Sequence, residues 1–521
     1  MSVADGISLL DALRDELGCH SVKDGCSPQG QCGCCTVWVD GAPRVACVTA
    51  VRRVAGRSVT TMEGLPEEVR HRWVQAFVAC GASQCGFCTP GIIMRLSTLA
   101  PASPPQSRDA IESALRAHLC RCTGWQSIVE AAERALDPGL DSVSVEDGDR
   151  DPLLASWRAQ LEGPAFQSSG PDAVMGDAGF ADDTAPHGSL VQLGQAAEPA
   201  PSLRAARAGT GRVQGRNSTV PLGHPVAVPA GTWALTLQTT WVEPAYLEPD
   251  ASWAAPDGIP ASPLANGGAF GGKRRSPVPE RAQALAETTG APVRVLWRRE
   301  DVVRLGPKRP PLALGLRADG SGIVRLGHTP GSPDLAGTVQ QIGALAPGVV
   351  VEVVEIEGPP VGGELRGAGW AEVLAARLAL DAVPGDPVEA ALPGGGWARV
   401  TLDVGALAGR GHLEVEVSAG AVLHPVTLRS YVLGAVHQAL GLVWSEGIAV
   451  TDGMPVDLTI RSFGILPARD MPEVTAILRE EDTWPVNGSD AVFVATLAAA
   501  FAAEGRPASW PTRRTGGRAH Q

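Results

Sequence analysis

The chain has 521 residues, 44% of them hydrophobic and 19% charged, with a formal charge of −13. That is the composition of a globular protein of about three or four domains. The acidic balance argues against nucleic acid or an anionic membrane as partner, because both select basic surfaces. The opening "MSVADGISLLDALRDEL" has no basic n-region and no cleavage pattern, so no signal peptide is expected. The most apolar late run, "AVFVATLAAAFAA", is too short to span a bilayer. The expected location is cytoplasmic.

In chain order, Ser8 and Asp11 form an S-x-x-D capping pattern ahead of Leu9, Leu10, Leu13 and Leu17, which predicts a helix with an apolar face. "CTVWVDGAPRVACVTAV" alternates about Asp40-Gly41 and predicts a β-hairpin. From residue 66 the period changes to helical. "PEEVRHRWVQAFVAC", "GIIMRLSTLA", "SRDAIESALRAHL" and "WQSIVEAAERAL" predict four short helices, with Pro66 in the first turn of the first. Residues 138–215 mix Pro, Gly, Ala, Ser and Asp without periodicity and read as a linker followed by weakly defined structure. Beyond 216, strand-like runs ("TWALTLQTTWV", "VVVEVVEIE", "HLEVEVSAGAV") alternate with helical ones ("ERAQALAETTG", "TLRSYVLGAVHQALGL"), as in an α+β or α/β domain.

All eleven cysteines lie between Cys19 and Cys122. An odd count with no export signal argues against a disulfide framework. The first set is Cys26-x5-Cys32-x2-Cys35 with Cys47 beyond. Plant-type [2Fe–2S] sites run C-x4-C-x2-C with a distant fourth cysteine, since each tetrahedral iron shares two sulfides and takes two thiolates. Here the first gap is one residue longer, and Cys34 rivals Cys35 for the third position. Tetrahedral zinc is the alternative for this set. The second set is Cys85-x2-Cys88 with Cys120-x-Cys122. Each pair is expected at a helix N-terminus, where the dipole favours thiolates, and the C-x-C half counts against a zinc ribbon. Cys19 and Cys80 are expected to be ordinary thiols.

"GCSPQGQCGCCTV", Cys47 in "VACVTAV", "TTMEGL", "QCGFCTPGIIM" and "LCRCTGW", in that order, resemble the iron–sulfur portion of the xanthine dehydrogenase/aldehyde oxidase family of molybdenum hydroxylases. The resemblance spans residues 8–137. It implies a β-grasp ferredoxin-like domain (1–70) and a helical domain (71–140), each with one [2Fe–2S] cluster, bound by Cys26, Cys32, Cys35 and Cys47 and by Cys85, Cys88, Cys120 and Cys122. It also implies that Gln84 touches a molybdopterin. The family normally places a β-hairpin before the "SLLDALR" helix, so a sheet short of strands is expected.

"GGAFGGK", Gly267 to Lys273, fits G-x4-G-K, but Arg274 stands where a P-loop needs Ser or Thr, and no strand precedes it. The segment instead resembles the family's molybdopterin-site glycine loop, here Gly268, Ala269, Phe270 and Gly271. Its neighbours keep the family order: "AYLEPDA" before it, "PVRVLWRREDV" after it, then "ELRGAGWAEV" with Arg366 near the active centre, then "RSFGILPARDMPEV". The resemblance therefore implies a remnant hammerhead-like region within 141–215 ("MGDAGFADDTAPHGSLVQL") and a shortened α+β molybdopterin-binding-like domain over 216–521. Where the family carries the glutamate that acts as general base, this chain reads "WPVNGSDAVFV". Asp490 is the nearest carboxylate, catalytic by analogy or simply a cap for the following helix. Arg274 also replaces the glutamate that follows the glycine loop in purine-hydroxylating members.

Two readings follow. One is an oxidoreductase of aldehydes or N-heterocycles holding two [2Fe–2S] clusters and molybdopterin, with no FAD in this chain and a separate FAD-containing subunit or other electron acceptor. The other is a non-catalytic electron-transfer subunit whose degenerate molybdenum-like domain docks to a full-length partner.

Overall fold

Ser8 opens the chain's first helix with a capping box. Its hydroxyl accepts the Asp11 N–H at 3.1 Å, and the Asp11 carboxylate accepts the Ser8 N–H at 3.3 Å. In the computed structural model, which describes residues 6–99, 106–138, 151–163, 165, 167–210, 220–262, 268–403 and 411–513, α1 (Leu9–Asp11) runs on into a π-type turn over Ala12–Glu16. Leu9, Leu10 and Leu13 are buried with Val37 and Val39 of a small antiparallel sheet. Its strands are β1 (Thr36–Val39), β2 (Ala42–Val45) and β3 (Val59–Thr60), in the order β2-β1-β3. Asp40 and Gly41 both have positive φ, as a two-residue type I′ turn requires. The hairpin is shorter than the alternation predicts. β2 stops at Val45, and a 3-10 turn over Ala46–Val48 carries Cys47 back over Cys35.

The four expected helices follow: α2 (Glu67–Cys80), α3 (Thr89–Leu96), α4 (Arg108–Ala114) and α5 (Gln126–Leu136). Pro66 is the N-cap of α2 rather than a first-turn residue. This bundle packs directly on the ferredoxin-like part. The Trp38 indole donates to Met94 O at 2.7 Å. Gly91 lets α3 approach so closely that a Cβ there would lie 2.5 Å from Gly33 O.

The segment that reads as a linker carries short elements: α6 (Pro152–Glu162), α7 (Pro171–Met175), α8 (Ala181–Thr184), β4 (Leu190–Leu193) and α9 (Leu203–Ala208). Their apolar faces are too small to show periodicity; buried charges fix them instead. Arg14 pairs with Asp182 and Asp183 at 3.0 and 2.7 Å, and Arg158 of α6 is fully buried.

Beyond them come β5 (Leu235–Gln238), β6 (Asp250–Ala254), α10 (Val278–Thr289), β7 (Val293–Trp297) and α11 (Arg299–Leu305). The strands β4, β7 and β6 form one mixed sheet in the order β4-β7-β6. Next are β8 (Leu312–Leu316), β9 (Gly322–His328), α12 (Ala336–Leu345) and β10 (Val349–Glu355). They complete a second sheet, β10-β9-β8-β5, in which α12 is the crossover between parallel β9 and β10. The last third holds α13 (Trp370–Ala379), β11 (Val388–Ala391), β12 (Trp397–Leu402), β13 (His412–Ser418), α14 (Pro425–Trp444), the small pair β14 (Val450–Thr451) and β15 (Met454–Pro455), β16 (Glu473–Arg479) and α15 (Ser489–Ala503). The third sheet is β11-β12-β13-β16. The chain is thus α+β, with a β-grasp part, a helical part and a mixed α/β part.

α14 and α15 are apolar nearly all round because both are core helices; among the described residues no helix is long and apolar enough to cross a membrane. At Gly434, α14 meets the helical part backbone to backbone. A Cβ there would sit 1.9 Å from Cys122 O. Gly434→Ala is therefore expected to lower stability by about 1–3 kcal/mol through overpacking. Gly343→Ala, on α12 with nothing within 4 Å of its Cβ, should be neutral or stabilising by up to about 1 kcal/mol. Thermal or denaturant unfolding of the two variants reads the contrast.

Candidate functional site: two cysteine groups beside a cavity

The loop after α1 brings Cys26, Cys32, Cys35 and Cys47 together, all buried. The Gln29 and Gln31 N–H groups donate to Cys26 Sγ at 3.3 and 3.4 Å, and the Cys47 N–H donates to Cys35 Sγ at 3.4 Å. The thiols of Cys32 and Cys47 also donate to Cys26, which pushes it well below the ordinary thiol range and its donors well above. Cys34 lies on the other side of Cys32. Its thiol takes a hydrogen bond from Cys32, but burial and the nearby Cys26, Cys35 and Cys120 raise it. Cys35 thus keeps company with Cys47, while Cys34 points toward the helical part.

The second group is built by the turn before α3 and the turn before α5. Cys88 is the N-cap of α3, as expected, whereas Cys122 lies four residues ahead of α5 (Gln126–Leu136). Cys85 and Cys122 have their sulfurs 3.6 Å apart. Cys120 accepts from Cys122, Cys88 and Thr123, and is pushed well below the usual thiol range. In each group one sulfur, Cys26 or Cys120, accepts from neighbouring thiols, and in the first group backbone N–H groups are aimed at sulfur as well. Among the described residues no three His, Cys, Asp or Glu converge as around a single bare ion. A two-iron cluster asks less, two thiolates on each iron, and this donor set fits it. The groups are joined by one short link: the Leu119 N–H donates to Cys32 O at 2.9 Å, and Leu119 is bonded to Cys120.

Beside Cys122, on the far side of Gln84 and Gly268, lies an inner cavity of about 210 Å³. Gln84, Gly268, Phe270, Gly271, Arg366 and Asp490 all line it; Ala269 does not, packing instead with Tyr246 and Val278. Gly267 lies outside the described residues. Gln84 donates through Nε2 to Cys122 O (3.0 Å) and Ser430 O (3.1 Å). A Cβ at Gly268 would lie 3.4 Å from Cys122 Sγ. Gln84, Gln167 and Tyr431 also line a neighbouring space of about 180 Å³, so the two spaces adjoin along a glutamine-and-tyrosine wall. Alone, the inner cavity is below the roughly 300 Å³ of ordinary small-molecule sites; with its neighbour it offers Gln84, Gln167 and Arg366 as polar partners for a pterin-sized group.

Arg366 and Asp490 are paired. Arg366 Nε donates to Asp490 Oδ1 at 2.6 Å, and Nη2 donates to Ser489 Oγ at 2.5 Å. Asp490 is not the cap of α15. Gly488 occupies that position, and the Asn487 side chain accepts the Asp490 N–H at 2.9 Å. Lys273 is turned away from the cavity. It donates to Glu248 (2.8 Å) and Pro249 O (3.0 Å), so "GGAFGGK" and "AYLEPDA" are tied through their charged residues.

Sequence reasoning missed Glu162, which lines the same cavity. It accepts the Gly488 and Ser489 N–H groups at 3.1 and 2.8 Å, at the positive end of α15, and is held by Arg158. The signal was present: Asp151-Pro152 is a helix start, and Arg158 and Glu162 are spaced i, i+4. Arg121 was also missed, although it lies between two cysteines of the second group. It is fully buried, forked onto Glu446 (Nη2 to Oε2, 2.8 Å) and set over the Phe270 ring at 5.6 Å.

The family described as "[2Fe-2S] binding domain" matches residues 61–133. The chain is 38% identical over 130 residues to the nicotinate dehydrogenase small FeS subunit of Eubacterium barkeri, covering 25% of this chain and 82% of that one. It is 41% identical over 127 residues to the xanthine dehydrogenase iron-sulfur-binding subunit of Escherichia coli O157:H7, covering 24% and 79%. Against the aldehyde oxidoreductase of Megalodesulfovibrio gigas the identity is 37% over 168 residues, 31% of this chain but only 18% of that protein. The solved aldehyde oxidoreductase from Desulfovibrio gigas superposes with a TM-score of 0.71 at 15% identity, over 98% of this chain and 97% of that one. The chain belongs to the xanthine dehydrogenase/aldehyde oxidase family, and its fold is that of an aldehyde oxidoreductase.

Two outcomes test this geometry. Cys35→Ser should abolish the spectroscopic signal of the first cluster while Cys34→Ser keeps it; the reverse would make Cys34 the ligand. Burial outweighs Lys273 and raises Glu248 to about 7, above the usual carboxylate value. The folded state then holds this proton more tightly than the unfolded chain, so stability falls as pH rises from about 4.5 to about 7. The loss is on the order of 3 kcal/mol. Glu248→Gln should flatten that part of the stability–pH curve.

Proposed function

We propose that this chain is an oxidoreductase in which an inner-cavity reaction delivers electrons to the second cysteine group and then to the first, each holding a [2Fe–2S] cluster. The observation that carries the reading is continuity. Gln84 and Gly268 line the cavity, Gln84 donates to Cys122 O, a Cβ on Gly268 would meet Cys122 Sγ, and one hydrogen bond links the chain beside Cys120 to Cys32. The residues that would hold a molybdopterin are Gln84, Gly268, Phe270 and Gly271. When bound, that cofactor supplies two-electron oxidation of an aldehyde or N-heterocycle carbon.

The protein's own part is positional. Arg366 holds Asp490 by Oδ1, leaving Oδ2 to accept a proton from a group placed within hydrogen-bond reach. Ser489 and Gln438 fix the other two guanidinium nitrogens at 2.5 and 3.4 Å. Glu162 fixes the start of α15, and so the position of Asp490. Electrons leave from the first group to a partner, an FAD-containing subunit or another acceptor. Domain boundaries near residues 70, 140 and 215 fit this division of labour.

A second reading is favoured by the Arg366–Asp490 pair itself, which occupies the base with a salt bridge. There the chain is an electron-transfer subunit, with its molybdenum-like part docked to a full-length partner. Mixing the purified chain with an aldehyde should bleach its iron–sulfur absorbance, and Asp490→Asn should slow that at least about 100-fold while leaving the oxidised spectrum intact. Bleaching by dithionite but never by aldehyde selects the electron-transfer reading; an unchanged rate in Asp490→Asn removes this residue from the chemistry.

A further inference from the structure

The two cysteine groups meet across a seam. On one side is the loop that carries Cys32, Gly33, Cys34 and Cys35; on the other is the turn from Ala117 to Cys120. The Leu119 N–H spans the seam to Cys32 O at 2.9 Å, a main-chain bond that any residue but proline could make. His118, one residue earlier, spans it with a side chain. His118 is buried, and its Nε2 lies 3.1 Å from Thr36 Oγ1. Thr36 Oγ1 in turn donates to Gly33 O at 2.7 Å. A threonine hydroxyl has one proton. Gly33 O takes it here, so the imidazole N–H is the donor to Thr36. The relay His118 to Thr36 to Gly33 thus joins the approach to Cys120 with the residue that follows Cys32.

The same ring sets the packing of the first loop. Gly33 has a φ of +76°, and a Cβ there would lie 2.5 Å from His118 Cδ2 and 2.8 Å from Ala117 O. Gly91 of α3 closes on the same peptide, with a Cβ that would lie 2.5 Å from Gly33 O. The Gly33 peptide is therefore packed against both the imidazole and α3, and the cysteines on either side of it move only with them. An aliphatic side chain at 118 would fill space but donate nothing. It would leave the buried Thr36 oxygen without its donor, a penalty the loop relieves only by shifting.

We propose that His118 is a positioning residue for electron transfer: through Thr36 and Gly33 it fixes the first cysteine group in distance and orientation against the second. This rests on the reading of one [2Fe–2S] cluster in each group. In that step one electron leaves the reduced second cluster and enters the oxidised first. No bond is made or broken, so what the surrounding chain supplies is the geometry between them.

The test uses the purified full chain reduced with dithionite. Each reduced cluster then carries one unpaired electron, and the two spins split or broaden each other's EPR lines according to their separation and orientation. Thr36→Val removes the acceptor of the histidine N–H and keeps the branched shape; His118→Leu removes the donor. Both should change the spin–spin pattern from that of the wild type while iron content and the oxidised absorption spectrum stay the same. Thr36→Ser restores the hydroxyl and should restore the wild-type pattern. Hydrogen exchange of the peptide containing Leu119 should be at least tenfold faster in Thr36→Val than in Thr36→Ser, because the seam opens locally. Either readout unchanged from wild type in both Thr36→Val and His118→Leu overturns the proposal. If His118→Leu does not fold, the Val and Ser variants at Thr36 decide it alone. A wild-type chain with no iron–sulfur EPR signal overturns the two-cluster reading instead, and Leu119 exchange, which needs no cluster, still decides whether the His118–Thr36 bond fixes the seam.

Discussion

Arg121 holds the three parts of the molecule in register. It sits between Cys120 and Cys122, its guanidinium is forked onto Glu446 just beyond α14, its Nε donates to Pro244 O at 2.8 Å, and it lies over Phe270 of the glycine loop. Both partners are buried to within a few per cent. A buried pair of this kind adds little net stability, but removing one member strands a charge and costs about 3–5 kcal/mol. Its contribution is therefore one of geometry: the second cysteine group, the cavity loop and the central helices cannot move independently. Close backbone approaches at Gly434 and Gly91 extend the same constraint to α14 and to the ferredoxin-like loop.

Charge is handled in the same way around the cavity. Glu162 satisfies two N–H groups at the start of α15 and is itself held by Arg158; Asp490, one residue further along, is held by Arg366. The helix start is thus fixed from both sides by buried or half-buried ions. A short side chain at 490 is thereby kept in a defined place despite being one methylene shorter than the family's glutamate.

The iron–sulfur portion was readable because its chemistry is local. Cysteine spacing, the Asp40-Gly41 turn and the Ser8–Asp11 box are short-range devices, and each recurs in the structure. The rise of Cys47 over Cys35 was less legible, since the alternation of "RVACVTAV" continues past the point where β2 ends. The cavity was legible only as an ordered set of weak resemblances. Gln84, Phe270, Arg366 and Asp490 come from four distant segments, and no spacing rule connects them. Glu162 and Arg158 were hidden because α6 is short and is anchored by ions rather than by an apolar stripe. Arg121 was overlooked between two conspicuous cysteines, where its burial could be seen only from the packing of α14 and the glycine loop.

The proposal of one [2Fe–2S] cluster in each cysteine group, beside a cavity that takes a molybdopterin, has a direct chemical measure. Iron, acid-labile sulfide, zinc and molybdenum can be measured on the purified protein in a single sample. The account predicts about four irons and about four sulfides per chain, as two [2Fe–2S] clusters require, with molybdenum at about one. Zinc in place of iron at the cysteine groups would contradict it.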